Sequence, residues 1–576
     1  MSYPDPPQQP QWQPQQPGQP GPPGQGYPPQ YGAAPGQQYP QHPPQPQQPP
    51  QPSYPQQQPY PQHGAPGGGM PGGGAPGGPP GGGQYSGGQT PPSGGRRRNR
   101  WLIPTAAGVA VVVMAGTVWA TVSLVDFGGP QPETVLPGNS IAFGKIDVAI
   151  DGSQAIELLQ FVDRLPEEML EEVGDSQDDT TSMMAEGFVE AFPEAEQAEV
   201  EQWIGQGVGG SMWPTDDEEA SEGEGVSGAI ALAVTDETLA EEQLGTLVSE
   251  RDDLAFEIVD GFALLSYNEA AIADLHRQVE ENGPLDGNDT FSGDLADVPG
   301  GSVAVGWTDL DGLMSVEQIA QEIESEMPSE SGAMSGRATA SVRIDGEYLE
   351  ARMDVFGFEV DQADLSWLSE SPGASVAAMG DLPQDTVVAV GGAGLGEAAT
   401  SAYEEGIPFL SSGEQTEMER AFNSMGVPMP DSFGGLLGTS TAFGATNLDF
   451  SSGSPDDVAF EYRAVDGDEQ VLNTLVEEMA GPYATSVPEV RADGDTVVVS
   501  SGSGGGGRLA DDEVFQQTMQ ELDEAVMAGY VDLRQAIPAG EVSAPQEWGA
   551  VGVALSVADE GQRASFELRW APSGGE

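Results

Sequence analysis

Leu136-Pro137-Gly138-Asn139-Ser140 runs into Ile141-Ala142-Phe143, and far downstream Leu382-Pro383-Gln384-Asp385-Thr386 runs into Val387-Val388-Ala389-Val390. In each, a leucine and a proline turn launch a short apolar strand, because proline presets the turn and cannot donate into a sheet ladder. A longer echo follows each copy. Phe291 through Val303-Ala304-Val305-Gly306-Trp307-Thr308-Asp309-Leu310 matches Phe515 through Val526-Met527-Ala528-Gly529-Tyr530-Val531-Asp532-Leu533 with one gap. Upstream of these, Phe256-Glu257-Ile258 and Phe262-Ala263-Leu264-Leu265-Ser266 flank Asp260-Gly261. Glu489-Val490-Arg491 and Thr496-Val497-Val498-Val499-Ser500 flank Asp493-Gly494-Asp495 in the same manner. An Asp-Gly pair between alternating apolar runs signals a hairpin. The echoes predict an outer region of two related α+β lobes, 133–374 and 375–576.

Amphipathic, acidic helices are expected over 153–164, 184–206, 236–250, 268–281, 315–326, 394–404, 413–424, 468–479 and 511–523. Further hairpins are signalled by Asp345-Gly346 between 337–344 and 347–356, and by Asp559-Glu560-Gly561 between 549–557 and 563–570. Hairpins mixed with helices favour an α+β fold with mostly antiparallel sheets over a doubly wound parallel sheet. A smaller unit, a strand ending in Gly-x-x-(Asp/Asn)-(Val/Leu), recurs at Gly144 with Asp147, Gly306 with Asp309, Gly444 with Asn447 and Gly529 with Asp532. A carboxylate at that place can cap the free backbone donors of a following helix. A metal ligand or catalytic acid is the sharper alternative, but capping explains the recurrence and accepts the one Asn.

Working outward, the amino-terminal side is a different material. Residues 1–95 are Pro/Gln/Gly-rich, contain Trp12 and seven tyrosines, and lack Ile, Leu, Val and Phe altogether. Such a tract cannot bury enough apolar surface to offset chain entropy, so disorder is expected. Pro28-Pro29-Gln30-Tyr31 and repeated Pro-x-x-Pro could dock cytoplasmic partners, although any shuffle of this composition would produce such matches. Arg96, Arg97, Arg98 and Arg100 then precede Trp101–Val125, which carries no charge. Twenty-five such residues suffice as one helix for a hydrocarbon core about 30 Å thick. The arginines before it, and Asp126 after it, predict a cytoplasmic tail, a single-pass anchor, a linker at 126–132 and an extracellular remainder in the cell membrane. Gly116 and Ala120 could close-pack two such helices, yet small residues are common in membrane spans.

Charge bounds the partners. The chain of 576 residues has a formal net charge of −74 and no cysteine. Residues 126–576 hold 91 acids and 14 basic side chains, 14 − 91 = −77. That field repels nucleic acid and anionic polymer. Absent cysteine excludes disulfides, thiolate metal sites and thiol nucleophiles. His276 is the only histidine beyond the tail, which excludes a multi-histidine zinc site there.

No catalytic constellation stands out. Gly502-Ser503-Gly504-Gly505-Gly506-Gly507 formally fits G-x-G-x-x-G, but its strand is the second arm of a hairpin rather than part of a parallel βαβ unit. Gly391-Gly392-Ala393-Gly394-Leu395-Gly396 could offer backbone donors to an anion but has no cation nearby. The single lysine, Lys145, has no phosphate-loop context, and His276 sits among polar helix neighbours without a G-x-S-x-G partner. Calcium is the cofactor that the acidic loops best admit. Asp286, Asn288 and Asp289 form one oxygen-rich loop, Asp493 and Asp495 another, and Asp216, Asp217, Glu218, Glu219, Glu222 and Glu224 an acidic run. None follows the twelve-residue EF-hand pattern.

A Pro/Gln/Gly tail, an arginine cluster, one apolar helix and then Leu136-Pro137-Gly138-Asn139-Ser140-Ile141-Ala142-Phe143-Gly144-Lys145-Ile146-Asp147-Val148 together resemble an actinobacterial envelope family, the domain of unknown function 3352. The resemblance covers most of 131–576 and implies a single-pass membrane protein with an α+β exterior. It carries no activity or site residue onto this chain. The expectation is a non-enzymatic, non-catalytic binding or scaffolding ectodomain, with envelope proteins or lipids as partners. A carrier or chaperone for an envelope lipid or polymer is the first alternative, and a carboxylate- or metal-dependent hydrolase the second.

Overall fold

A computed structural model describes residues 131–576 apart from 148–151, 175–179, 250, 252, 327–333, 361–373, 406–411, 447–458, 481–486, 503–505, 523, 539, 559–561 and 575–576. The tail, the arginine cluster and the segment 101–125, with the anchor and orientation read from them, lie outside the described residues. Among the described residues no helix is long and apolar enough to cross a membrane.

Sixteen strands are described: β1 (Ala142–Asp147), β2 (Ile204–Pro214), β3 (Val226–Val234), β4 (Ala255–Val259), β5 (Phe262–Ser266), β6 (Ser302–Asp309), β7 (Met334–Ile344), β8 (Leu349–Val360), β9 (Val388–Ala393), β10 (Ser440–Ala445), β11 (Phe460–Val465), β12 (Glu489–Asp493), β13 (Thr496–Ser501), β14 (Met527–Asp532), β15 (Ala550–Ala558) and β16 (Arg563–Ala571). The helices are α1 (Gly152–Val162), α2 (Glu167–Gly174), α3 (Thr180–Ala191), α4 (Gln197–Val200), α5 (Glu237–Ser249), α6 (Glu269–Asn282), α7 (Asp289–Leu295), α8 (Leu310–Ser315) and α9 (Glu317–Glu326). They continue with α10 (Ser375–Gly380), α11 (Leu395–Glu405), α12 (Ser412–Ser424), α13 (Phe433–Leu437), α14 (Glu469–Ala480), α15 (Glu513–Met519) and α16 (Leu533–Ala536). The fold is α+β, as expected from the hairpin signals.

All sixteen strands join one sheet in the order β12-β13-β11-β10-β9-β14-β15-β16-β8-β7-β6-β1-β2-β3-β5-β4. Every neighbouring pair is antiparallel. Outward from the β8–β16 pair, the two sides run β8-β7-β6-β1-β2-β3-β5-β4 and β16-β15-β14-β9-β10-β11-β13-β12. Strand for strand, these are the same topology. The sheet is continuous across residues 374 and 375, because β8 and β16 pair from Arg563 with Phe356 to Trp570 with Leu349.

The leucine-proline turns account for the likeness at atomic level. Leu136 and Leu382 are both fully buried. The carbonyl of Leu136 accepts from Leu285 N, and that of Leu382 from Leu509 N, each at 2.8 Å. Pro137 bridges Pro284, as Pro383 bridges Arg508. Each turn then hands its strand to the middle of a ladder: β1 lies between β2 and β6, and β9 between β10 and β14. The Phe291 and Phe515 echo is equally concrete. Asn288 and Asp512 cap α7 and α15 through side-chain oxygens. Phe291 meets Trp307 edge-on at 5.4 Å, and Phe515 meets Tyr530 at 5.0 Å.

Residues opposite one another across an antiparallel pair share a face, so the registers divide the sheet. One face, the aromatic face, carries Phe143, Trp213, Trp307 and Tyr530 beneath α6, α7, α10 and α15. The opposite face is covered by α1 over β6 to β8, by α3 and α5 over β2, β3 and β5, and by α13 and α14 over β11 and β13. The β4–β5 turn places Asp260 and Gly261 at φ 50° and 82°, the left-handed pair that an Asp-Gly hairpin calls for.

Several expected elements differ. The helix expected over 184–206 stops at Ala191, because Pro193 has no N–H to continue it, and the chain enters β2 at Ile204. That strand is rich in glycine for a steric reason: a Cβ on Gly209 would lie 2.5 Å from Pro132. The helix expected over 315–326 is α9 (Glu317–Glu326), preceded by the separate short α8, which ends where Val316 has extended backbone. The one expected over 511–523 shortens to Glu513–Met519, capped by Asp512. The β12–β13 turn centres on Gly494 and Asp495, one residue later than the sequence signal, because Asp493 already pairs with Thr496.

Candidate binding face

The centre of the sheet has two unlike faces. On the aromatic face, β7, β8 and β16 carry a ladder of charges. Arg343 bonds Glu350 at 3.0 Å; Arg569 lies 3.1 Å from Glu350 and 3.0 Å from Glu567; Arg352 reaches Glu567 at 3.1 Å and Asp354 at 2.8 Å. Arg563 ends it, 3.1 Å from Asp354 and 2.9 Å from Asp297. Four arginines alternate with four acids, so the ladder is neutral within a strongly negative chain. Glu350, Asp354 and Arg569 are buried. The Arg569 guanidinium also stands 4.6 Å over the Tyr348 ring. Burial pushes the Asp354 carboxyl up, but hydrogen bonds from Arg352, Ser565 and Arg563 outweigh it and hold the group below its usual range. Burial first, and then Glu350, push the Glu567 carboxyl up despite its arginines. The ladder ties β8 to β16, and within it Arg343 Nε and Arg569 Nε are buried without a hydrogen-bond partner.

The other side of the same strands is apolar and open. Phe443, Val390, Met527, Phe566, Leu568 and Met353 are between 37 and 46 % exposed. They are six of the nine large apolar side chains exposed among the described residues. The registers put all six on one face across β10, β9, β14, β15, β16 and β8. Phe443 opposes Val390, and Val390 opposes Gly529. Met527 opposes Leu555, Leu555 opposes Phe566, and Phe566 opposes Met353. Val553 and Leu568 form the adjoining row, and Val557, Ala564 and Val355 the next. No charged residue interrupts these rows from β14 to β8. A contiguous exposed patch of this kind marks a contact surface.

The first half shows what such a surface accepts. There, Leu158 and Phe161 of α1, with Leu165 just beyond it, cover Ala304, Val342, Ile344 and Leu349. Aligning Gly306 of β6 with Gly529 of β14, and following the registers, the matching positions in the second half are Met527, Leu555, Val557 and Ala564. These lie on the open face. The helix at the matching place in the chain, α11, instead packs against α13, with Tyr403 edge-on to Phe433 at 6.0 Å.

The residues that the sequence singled out are placed elsewhere. Asp286 lies in a short 3-10 turn whose carbonyl accepts from Ser292 Oγ at 2.9 Å. Asn288 spends its side-chain oxygen on the Thr290 and Phe291 amides, and its Nδ2 donates to Gly138 O at 2.8 Å. Asp289 is the first residue of α7. Asn288 is thus the cap of α7 with Asp286 and Asp289 on either side, and no group of three or more His, Asp or Glu stands together to hold a metal among the described residues. Asp217 caps its own loop through the Glu219 and Ala220 amides, and those hydrogen bonds hold its carboxyl below the usual range. Asp309 and Asp532 cap α8 and α16, the role expected for the recurring acid. The side chain of Asp147 and all of Asn447 lie outside the described residues. Gly391 is a packing glycine: a Cβ there would lie 2.3 Å from the Ser375 carbonyl oxygen of α10. Residues 503–505 of the other glycine run are outside the described residues. His276 pairs with Glu257 at 2.7 Å on the surface, and Lys145 with Glu133 at 2.7 Å.

The open face itself was not anticipated, though β15 carried a signal for it. Ala550-Val551-Gly552-Val553-Ala554-Leu555-Ser556-Val557 is apolar at almost every position, whereas a strand covered on one side should alternate with polar residues.

No family model matches the chain, and no curated protein or solved structure matches it either.

Proposed function

We propose that this is a single-pass cell-envelope membrane protein whose exterior, 133–374 and 375–576, is an internally duplicated, non-catalytic binding or scaffolding domain. The observation that carries the reading is the uncharged face centred on Phe566, an exposed apolar surface on strands whose other side is locked by ion pairs. The matched strand orders support the duplication. The charge-free segment 101–125 behind its arginine cluster, and the resemblance to single-pass envelope proteins, support the anchor and an extracellular exterior.

Native mass spectrometry of the full-length protein, extracted gently from its own membrane, tests the reading. The expected result is a retained protein subunit that Phe566→Ser releases. A reproducible adduct of lipid or glycan mass would replace the scaffold by a carrier. A bare mass for both proteins would overturn stable binding at this face.

A further inference from the structure

We propose that the open face receives an amphipathic α-helix with a cationic outer side, presented by a partner protein, in the position that α1 occupies in the first half. The inference rests on the reading of the exterior as a binding domain and adds the shape and charge of what it binds.

Three observations lead there. First, α1 meets its strands through Leu158, Phe161, Val162 and Leu165, the i, i+3, i+4, i+7 spacing of a helix laid on an apolar bed. Met527, Leu555, Val557 and Ala564 stand where that bed stands, one half further on, and no helix among the described residues buries them into a core. Second, the open face continues directly from the α1 interface. Phe161 is edge-on to Trp570 at 6.0 Å, and Leu568, two residues before Trp570 on β16, shares its face. A second helix beside α1 would therefore extend an existing layer. Third, the net charge of −77 over 126–576 sets the sign of the partner. A second copy of this chain, or an anionic membrane, would bring like charge to like. A helix with basic residues on its solvent side gains from the same field, while its apolar side meets a bed that carries no charge.

The probe is a synthetic peptide of residues 152–166 carrying Glu157→Lys, Leu159→Lys, Gln160→Lys and Asp163→Lys, stapled into a helix on its outer side. Its affinity for the full-length protein in nanodiscs of neutral lipid is read by fluorescence anisotropy. Saturable binding is expected, weakened about tenfold by Phe566→Ser or Leu568→Ser, a loss on the scale of one buried contact residue. Met479→Ser, exposed elsewhere, leaves it unchanged. A scrambled peptide of the same composition binds at least about tenfold more weakly, which separates the helix spacing from bare charge attraction. Melting curves of each variant check that the half-exposed substitutions leave the fold intact. Equal binding of the scrambled peptide, or indifference to both serine variants, overturns the inference. So does a dimer that Phe566→Ser dissociates, which assigns the face to a second copy. Phe566-dependent binding of phosphatidylcholine vesicles without peptide binding assigns it to lipid. If the peptide fails while native mass spectra keep a Phe566-sensitive companion, the helix falls and the binding domain stands. If nothing bound in the native membrane responds to Phe566, both fall.

Discussion

Asp354→Asn should open the joint between the two halves of the sheet. Asp354 is 1 % exposed and accepts from Arg352 at 2.8 and 3.0 Å, from Arg563 at 3.1 Å and from Ser565. Asparagine keeps the shape but removes the charge and turns one acceptor into a donor aimed at guanidinium groups. Removing one partner of a buried ion pair costs about 3–5 kcal/mol, because the other charge is left uncompensated. Here Arg352 and Arg563 keep 23 and 21 % of their side chains exposed, so water recovers part of the loss. A penalty of about 2–3 kcal/mol is the resulting expectation. Its pH dependence has a definite sign. A carboxyl held below its ordinary range contributes stability that is present above about pH 4 and is lost as pH falls through the lowered value. Urea unfolding of wild type and variant, followed by tryptophan fluorescence, should therefore show the full difference at pH 7 and a shrinking one below pH 4. A difference under about 0.5 kcal/mol at pH 7, the size of an ordinary surface substitution, would refute the reasoning. So would one that stays constant into acid.

Glu567 gives the contrasting result. Its carboxyl is raised, so its contribution is present below about pH 4.5 and is lost as pH rises. Glu567→Gln should accordingly match or exceed wild-type stability at pH 7 and lose ground at pH 4 in the same urea series. Leu136→Ala and Leu382→Ala, made at equivalent fully buried positions, should each cost about 2–5 kcal/mol, and unequal values would show that the two turns carry different loads. Gly391→Ala drives a methyl against the Ser375 carbonyl and should lower stability by about 1–3 kcal/mol in thermal melts, a loss that compensating changes in α10 would have to relieve. The melting temperature should fall as NaCl is withdrawn, since a net charge of −74 is then unscreened; a salt-independent value would contradict that electrostatic reading.

Much of the architecture was legible because local chemistry dictated it. Leu136-Pro137 and Leu382-Pro383 run straight into apolar segments, and Asp260-Gly261 and Asp493-Gly494 stand between apolar β-branched or aromatic runs, so the strands β1 and β9 and the edge ribbons β4–β5 and β12–β13 followed from short segments. The recurring Asp309 and Asp532 were legible as caps for the same reason: a carboxylate just before a helix has four free amides in front of it. What escaped was whatever depends on a distant strand. The place of Gly209 in β2 depends on Pro132, whose ring stands where a Cβ would lie and comes from a segment more than seventy residues earlier. The β8–β16 pair joins residues more than two hundred positions apart, and neither strand names its partner. Arg352 and Glu567 meet only once that register exists. The apolar face was hidden in the same way, since Met353, Phe566 and Met527 become neighbours through three ladders at once.

Against the likeness of the halves, one divergence beside the open face is informative. Both use the same strand order, the same leucine turn, the same capped helix bearing Phe291 or Phe515, and the same edge hairpin. They part where β1 and β9 lead into helices. After β1 the chain lays α1 on β6 and β7; after β9 it carries α11 to α13 instead. Residues freed from a packing duty drift towards polar types if water is all they meet, because exposed apolar groups gain nothing there. Met527, Leu555, Val557 and Phe566 have not done so, and they stand on strands whose reverse side is fixed by Asp354 and its arginines. A rigid backing and an apolar surface in one place are the two properties that a docking bed requires, since little ordering entropy then opposes binding. On this argument the proposed partner helix would take, on this bed, the place that α1 holds in the first half, and the peptide experiment tests that correspondence.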